Sequence, residues 1–336
     1  MMKITVMGSG AWGTALAIVL ADNRHDVTLW TYKQEQAEEM RATRHNPRLK
    51  DVELPESLGV ADDLSTVSES DMVVLATPSF AVRDTAKMIA PLVRDDVILV
   101  TVSKGVERDT ALSMSQIIEQ EMKGKGSVVA LSGPSHAEEV GRRVPTGCVA
   151  ASNDPKAALV TQDAFMNNAF RVYTNADIVG VELAAALKNV LALSCGISDG
   201  LGLGDNTKAL LMTRGMTEMA RLGVALGGHK ETFAGLSGMG DLIVTCTSMH
   251  SRNRRCGILI GQGKSVSDAI REVGATVEGY YAAFSARQLA QKMGVEMPIC
   301  ECAYQILYEN QPVDKVVEQL MGRGKRCEEE ESWIQV

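Results

Sequence analysis

Three glycines at fixed spacing follow an apolar stretch near the start of the chain. Gly8, Gly10 and Gly13 form a G-x-G-x-x-G turn directly after the strand-like run 4–7, and a helical pattern begins at Thr14. The first glycine allows a tight turn, the second admits a phosphate close to the backbone, and the third lets helix and strand pack closely. The free helix N-terminus then faces the phosphates. This strand–turn–helix context predicts a dinucleotide-binding unit.

The end of the second predicted strand bears on which dinucleotide binds. In NAD-selective sites an acidic residue at this point holds the ribose hydroxyls. Here Thr31, Tyr32 and Lys33 follow the strand, and the first carboxylate is Glu35. Such an end is compatible with a 2′-phosphate, which Lys33 could pair with, so NADP and NAD are both candidates. The alternative is that Lys33 is a solvated loop residue.

Strand-like and helical segments alternate through the first half of the chain. Apolar runs predict strands at 3–7, 26–30, 72–76, 97–102, 128–132 and 147–151, with helical patterns at 35–42, 80–90 and 111–122 between them. Near-continuous Val, Ile and Leu are typical of parallel strands that are covered on both faces. The fold class is therefore α/β, with an N-terminal doubly wound, Rossmann-type sheet.

The second half of the chain is predicted to be all helical. Helical patterns occupy 178–197, 207–226, 266–273, 279–293, 299–309 and 313–321, and strand-like runs nearly disappear after Asn175. We therefore expect a dinucleotide-binding domain over 1–177, a helical substrate and catalytic domain over 178–326, and an acidic solvated tail over 327–336.

Composition argues against several classes of partner. The 336 residues are 45% hydrophobic and carry a formal net charge of −8, which argues against nucleic acid and anionic membranes. Seven scattered cysteines without zinc-like pairs indicate free thiols in a reducing cytoplasm. Neither the pair Cys300 and Cys302 nor the five histidines has convincing metal-site spacing. We expect no signal segment and no run long enough to span a bilayer.

Polar residues follow the predicted strands at the edge where doubly wound sheets bind ligands. Lys104 follows the run 97–102, and Gly133 and Ser135 follow the run 128–132. Lysine at such a position favours a functional role, whereas serines there are equally common as turn formers. Ser135 with Glu138 also matches a capping box, which predicts that a helix starts there.

Lys188 is the one charged residue in the stretch 183–193, which is apolar on nearly all sides of a helix. Its helical neighbours one turn away offer no acid, so we expect a desolvated ammonium with a lowered pKa. Such a lysine is a candidate general acid and base, although a head group that snorkels to the surface is the alternative.

A basic cluster follows a glycine-rich segment further along the chain. Ser251, Arg252 and Asn253 come ten residues after Asp241. Arginine beside Ser and Asn donors is what a phosphate monoester requires, and a solvated basic turn is the alternative. Asp241 could orient a base or a substrate, or it could cap a helix.

In combination these motifs resemble the bacterial-type NAD(P)-dependent glycerol-3-phosphate dehydrogenase family, from residue 3 to about 326. The matching segments are GSGAWGTAL at 8–16, SKG at 103–105, SGPS at 132–135, LKNV at 187–190, GLSGMGDL at 235–242, TCT at 245–247, SRN at 251–253 and VEG at 277–279. The resemblance implies reversible reduction of dihydroxyacetone phosphate to sn-glycerol 3-phosphate for glycerophospholipid synthesis. It also implies a cytoplasmic enzyme that is often homodimeric.

The resemblance implies that Lys188 donates and accepts the proton. Together with the local patterns it gives as substrate-binding residues Lys104, Gly133, Ser135, Lys188, Asn189, Asp241, Ser251, Arg252 and Asn253. The cofactor-binding residues are Gly8, Gly10, Ala11, Trp12, Gly13, Tyr32, Lys33, Lys104, Ala137, Arg252 and Glu278. The chain departs from the family at His136, where Phe is usual, and at Ala11, where Ser is also common.

Two other interpretations compete with this one. The first is a two-domain dehydrogenase that acts on a hydroxy acid or sugar acid, against which the cluster of Ser251, Arg252 and Asn253 favours a phosphorylated substrate. The second is a sensor that binds NADP without turnover, which would have no use for a desolvated base such as Lys188.

Overall fold

In this computed structural model, which describes residues 1–325 and 327–328, eight strands form one sheet. In chain order they are β1 (Lys3–Met7), β2 (Asp26–Trp30), β3 (Gly59–Ala61), β4 (Met72–Leu75), β5 (Ile98–Thr101), β6 (Ser127–Ser132), β7 (Thr146–Ala151) and β8 (Phe170–Asn175). Their spatial order is β3-β2-β1-β4-β5-β6-β7-β8, and β6 with β7 is the antiparallel pair. The α/β fold class with a doubly wound sheet is confirmed.

The strand order reverses between β1 and β4, which lie side by side with Met7 opposite Leu75. Ligands of doubly wound sheets bind in the crevice beyond the carboxyl ends of the strands at such a reversal. Both faces of the sheet are covered by apolar side chains. One cluster includes Leu16 and Phe165, and the other includes Ile89 and Ile117.

The helices continue the alternation and then dominate the second half of the chain. They are α1 (Ala11–Asp22), α2 (Gln34–Thr43), α3 (Val82–Ile89), α4 (Met114–Met122), α5 (Ala137–Gly141), α6 (Pro155–Phe165), α7 (Ile178–Gly200), α8 (Gly204–Ala225), α9 (Lys230–Phe233), α10 (Asp241–Thr247), α11 (Arg252–Gly261), α12 (Val266–Val273), α13 (Glu278–Met293), α14 (Pro298–Tyr308) and α15 (Val313–Met321). A π-helical turn over Leu236–Gly240 leads directly into α10.

Helix α7 forms the centre of the helical half, and it corrects one expectation. The 23-residue helix has a mean hydropathy of 1.7 over 18 residues, so it is long and apolar enough to cross a bilayer, contrary to the sequence-based prediction. However, 89% of that window is buried inside the protein. Side chains of α8, α11 and α13 cover it, which explains why a helix in this fold is apolar all round.

Other differences from the predicted elements have local causes. The capping box at Ser135 is wrong, because His136 precedes α5 and the Ser135 hydroxyl accepts a hydrogen bond from Lys104 instead. Strand β3 was missed because it has only three residues. Strand β8 was missed because it lies at the sheet edge, where Phe170 and Val172 alternate with exposed residues.

The sheet ends at Asn175, and Asp177 caps α7 by accepting a hydrogen bond from the Gly180 backbone N–H. The domain boundary proposed at 177/178 therefore coincides with this turn, and we retain it as a proposal. Of the acidic tail proposed over 327–336, residues 329–336 lie outside the described part of the chain.

Candidate active site

The glycine turn after β1 is built as close packing demands. Gly8 has a φ of +120°, and a Cβ there would lie 2.8 Å from the Ala76 carbonyl oxygen after β4. A Cβ on Gly13 would overlap the Gly8 carbonyl oxygen. Among the described atoms, by contrast, none lies within 4 Å of a Cβ built on Gly10. Gly8 and Gly13 therefore serve the backbone fold, whereas Gly10 leaves space.

That space fits the diphosphate of a dinucleotide. Gly10 is the N-cap of α1 and has no side chain to cover the first turn, so the N–H groups of Ala11, Trp12 and Gly13 lack intrahelical acceptors and point out of the helix. The indole Nε1 of Trp12 is also buried, with no partner among the described residues. A group that brings negative oxygens to this turn would satisfy these donors.

The end of β2 lies beside the same crevice. Thr31 is buried, whereas Tyr32 is 73% exposed and Lys33 is exposed. The Lys33 ammonium lies 5.6 Å from the centre of the Tyr32 ring, so the two side chains lie together. Their roles toward a ribose 2′-phosphate stay predictions.

A chain of charged side chains crosses from the sheet to the helical half. Asp241 accepts hydrogen bonds from Lys188 Nζ through Oδ1 at 2.6 Å and from Lys104 Nζ through Oδ2 at 2.7 Å. Lys104 Nζ also donates to Ser135 Oγ at 2.9 Å and to the Gly133 carbonyl oxygen at 3.2 Å. Five residues that the sequence singled out at distant positions thus form one network.

Burial sets the ionisation of this network. Removal from water lowers the pKa of Lys188 to about 8, although the Asp241 carboxylate opposes the shift. Burial alone would raise the pKa of Asp241, but Lys104 and Lys188 together hold it below its usual value. The expected desolvation of Lys188 is confirmed, and its ammonium does not snorkel, since it is 5% exposed. The partner acid comes from α10 rather than from its own helix.

Two residues to which the sequence reasoning assigned no role extend the site. Thr245 Oγ1 accepts a hydrogen bond from Lys188 Nζ at 2.6 Å, one helical turn after Asp241. Ser79 Oγ donates to Glu278 Oε2 at 3.0 Å and so joins the sheet half to the start of α13. The spacing of four residues between Asp241 and Thr245 is the signal that could have identified Thr245.

In the cluster at the start of α11, two side chains are hydrogen-bonded within the protein and the third is exposed. Asn253 Nδ2 donates to Asn189 Oδ1 at 2.9 Å, and its Oδ1 accepts from the Gly279 backbone N–H at 2.9 Å. Ser251 caps α11 by accepting a hydrogen bond from the Arg254 backbone N–H. Arg252 is exposed and close enough to Glu278 to counter the burial that raises the pKa of that carboxyl.

The remaining sequence predictions are placed as follows. Ala137 is the first residue of α5 and is buried, directly after His136. Arg254, which directly follows the basic cluster at 251–253, pairs with Asp199 at 2.8 Å and so has a structural partner. Within the described residues no group of His, Cys, Asp or Glu could hold a metal ion, Cys300 and Cys302 included.

Comparison with known proteins gives a consistent result. Family models described as the N-terminal and C-terminal parts of NAD-dependent glycerol-3-phosphate dehydrogenase match residues 3–158 and 177–318. A protein of Fusobacterium nucleatum named glycerol-3-phosphate dehydrogenase (NAD(P)+) is 51% identical over 98% of this chain and 99% of its own length. A crystal structure titled glycerol-3-phosphate dehydrogenase, from Coxiella burnetii, is 38% identical with a TM-score of 0.91, covering 96% of this chain and 99% of that chain.

Proposed function

The chain belongs to the NAD-dependent glycerol-3-phosphate dehydrogenase family, and from that premise we propose that it reduces dihydroxyacetone phosphate reversibly to sn-glycerol 3-phosphate with NADPH or NADH. The single observation that supports a reductase mechanism best is the buried Lys188, which is hydrogen-bonded to Asp241 and lies in the same network as Lys104. A protonated amine held in a dry site is suited to neutralise charge on a substrate oxygen.

Lys188 is the proton donor in this proposal. An ammonium group has three N–H donors, and Asp241 and Thr245 take two of them. Among the described residues nothing else accepts the third, so it is available to the carbonyl oxygen of the ketone. A reduced dinucleotide held with its diphosphate at the Gly10 turn would supply a hydride for the carbonyl carbon. As negative charge grows on the oxygen, Lys188 Nζ transfers its proton there, and in the reverse direction it takes the proton back.

Lys104 and Asp241 act as positioning residues for that proton transfer. Asp241 holds the ammonium in one place, and Lys104 balances the second carboxylate oxygen, so Asp241 stays ionised in a buried site. Lys104 follows β5 at the edge of the sheet where the strands' carboxyl ends meet, which is also the edge where the glycine turn follows β1. It is therefore well placed to contact both ligands.

The substrate phosphate is assigned to the start of α11. Arg252 is exposed, and the backbone N–H groups of Arg252 and Asn253 in the first turn of α11 have no intrahelical acceptors, whereas the Arg254 N–H donates to the Ser251 cap. Asn253 keeps one Nδ2 hydrogen after its bond to Asn189. Binding the phosphate here turns contacts remote from the carbonyl into orientation of the reacting atoms.

The proposal extends to the cellular setting. We assign the enzyme to the cytoplasm, to glycerophospholipid synthesis and to a homodimer, on the basis of the family resemblance. Six cysteines that are free thiols in the described residues (Cys148, Cys195, Cys246, Cys256, Cys300 and Cys302) support a reducing compartment. Sedimentation analysis tests the dimer directly.

The decisive experiment follows NADPH oxidation on addition of dihydroxyacetone phosphate, with NADH and unphosphorylated dihydroxyacetone in parallel. We expect rapid oxidation that requires the phosphorylated ketone. Oxidation with a hydroxy-acid precursor such as a 2-oxo acid instead would indicate the competing dehydrogenase class. Binding of NADPH without oxidation by any ketone would indicate the sensor.

A further inference from the structure

Two histidines that the mechanism does not use face each other beside the site. His136 precedes α5, and His250 precedes the cap residue of α11, so they come from the two halves of the molecule. Their ring centres lie 5.4 Å apart with an interplanar angle of 53°. The two residues are 114 positions apart in the chain and precede different helices, so tertiary folding brings their rings together.

The surroundings of the pair leave its polar atoms available. His136 Nε2 is buried and has no hydrogen-bond partner among the described residues. His250 is exposed, and its backbone N–H donates to Ser248 Oγ at 3.1 Å, which fixes the loop rather than the ring. A buried ring nitrogen without a partner is costly, and when it carries a proton, a ligand that accepts a hydrogen bond is stabilised here.

Each histidine is the sequence neighbour of a residue in the site. Ser135, directly before His136, accepts a hydrogen bond from Lys104. Ser251, directly after His250, caps the helix that begins with Arg252. The pair is therefore adjacent in the chain to both the Lys104 network and the proposed phosphate position, and the charge of Lys188 acts on the His136 ring.

We infer that His136 and His250 form a proton-linked clamp on the phosphate of the substrate, in which the imidazoles bind the dianion as hydrogen-bond donors. This inference rests on the proposed function. An imidazolium presents two N–H donors, and a phosphate monoester accepts several charge-assisted hydrogen bonds. The pair is not a catalytic acid, since Lys188 performs that role at the carbonyl oxygen.

The charges around His136 determine how phosphate binding depends on pH. Burial lowers the pKa of His136, with Glu139 and Glu138 on α5 opposing the shift and His250 and Lys188 on α7 adding to it. The unliganded His136 ring is thus neutral near pH 7. A dianion beside the pair favours the protonated form of the His136 ring, so binding takes up protons and weakens as pH rises.

The test compares His136→Phe and His250→Gln with His229→Gln, an exposed histidine away from the pair. We expect the KM for dihydroxyacetone phosphate at pH 6.5 to rise about tenfold in each clamp variant, the size of one charge-assisted hydrogen bond. The effect should fall on KM more than on kcat. The ratio of variant to wild-type KM should approach one at pH 8.5, and because the substrate's own titration is common to all variants, that ratio isolates the histidines.

Calorimetry measures proton uptake on binding, which would not change if the two histidines had only a structural role. Binding of sn-glycerol 3-phosphate in two buffers of different ionisation enthalpy should show proton uptake in the wild type and in His229→Gln, and less uptake in His136→Phe and His250→Gln. If His136→Phe fails to fold, the exposed His250 carries the test. Equal uptake and equal KM values in all variants of an active enzyme would overturn the clamp alone. A wild type that neither binds nor turns over the phosphorylated substrates would overturn the proposed function and the clamp with it.

Discussion

At the scale of single residues, the site depends on one ammonium that is kept out of water. Lys188 is buried on α7, where its own helical neighbours are apolar, and its charge is balanced by Asp241 from another helix. Removing one member of such a pair is strongly destabilising, because it leaves an uncompensated buried charge on the other member. The proposed chemistry and the local stability therefore depend on the same two side chains.

Replacing Lys188 by Met should remove the proton donor while preserving the volume of the side chain. We expect kcat for ketone reduction to fall about 100- to 10,000-fold, the usual contribution of general acid catalysis. NADPH affinity, measured by fluorescence titration, should change little, because the glycine turn lies on the other half of the molecule. Lys292→Met, at an exposed lysine of α13, is the matched control. Near-normal turnover by Lys188→Met would rule out this assignment.

The pH dependence of the reaction should report the ionisation of Lys188. Its pKa is lowered to about 8, and in the proposed mechanism the protonated form is the one that donates. Reduction measured as kcat/KM should therefore be high below pH 8 and fall above it, whereas oxidation of sn-glycerol 3-phosphate should rise through the same range. In Asp241→Asn the opposing carboxylate is gone, so the inflection should move to lower pH. An inflection that does not move would mean that another group titrates.

At the scale of elements, the glycine turn separates structural from functional glycines. Gly13→Ala should lower the free energy of unfolding by about 1–3 kcal/mol, because the new Cβ would overlap the Gly8 carbonyl oxygen. Gly10→Ala faces open space, so it should fold normally but weaken NADPH binding about tenfold or more, or ~1.4 kcal/mol. Urea unfolding and NADPH titration of both variants measure the two effects. Equal stability losses in the two variants would contradict this division.

Helices α7 and α11 pack backbone against backbone. A Cβ on Gly257 would overlap the Leu193 carbonyl oxygen, whereas a Cβ on Gly215 would meet only the flexible end of Leu191. We therefore expect Gly257→Ala to lower the free energy of unfolding by about 1–3 kcal/mol and to raise KM by separating Asn253 from Asn189. Gly215→Ala is the control and should lose less on both measures. A smaller effect of Gly257→Ala than of Gly215→Ala would show that α7 and α11 can move apart with little loss in the free energy of unfolding.

Elements with a strong local pattern were predictable from the sequence, and those that depend on tertiary contacts were not. The buried strands β1 and β2 and the helices α12 and α15 have the predicted bounds, because period and caps are local properties. The edge strand β8 was not predicted, because exposed residues interrupt its apolar residues and no continuous apolar run marks it. Lys188 was identified as desolvated from its apolar neighbours, but its pairing with Asp241 joins two helices 53 positions apart. Such a contact is invisible to local spacing.

At the scale of the whole molecule, the site lies where the sheet and the helical half meet. Lys104 and Ser79 come from the sheet, whereas Asp241 and Glu278 come from helices beyond α7. Two polar links, Lys104 to Asp241 and Ser79 to Glu278, therefore join the halves at the site. A small apolar cluster, which includes Ala130 and Val181, joins them nearby. Both halves must be folded before the proton donor and the glycine turn share one cleft.

Charge at this scale leads to a last prediction. The chain has a formal net charge of −8, yet its phosphorylated substrate is a dianion. Attraction must come from the local cations Lys104, Lys188 and Arg252, which act within about one Debye length, or ~8 Å at physiological salt. If they outweigh the distant acidic surface, the KM for dihydroxyacetone phosphate should rise about threefold as salt increases from low to physiological strength. Arg252→Gln should flatten this dependence. A KM that falls with salt would mean that repulsion by the net negative charge dominates at long range. The local cations would then act on the substrate only once it is in the site.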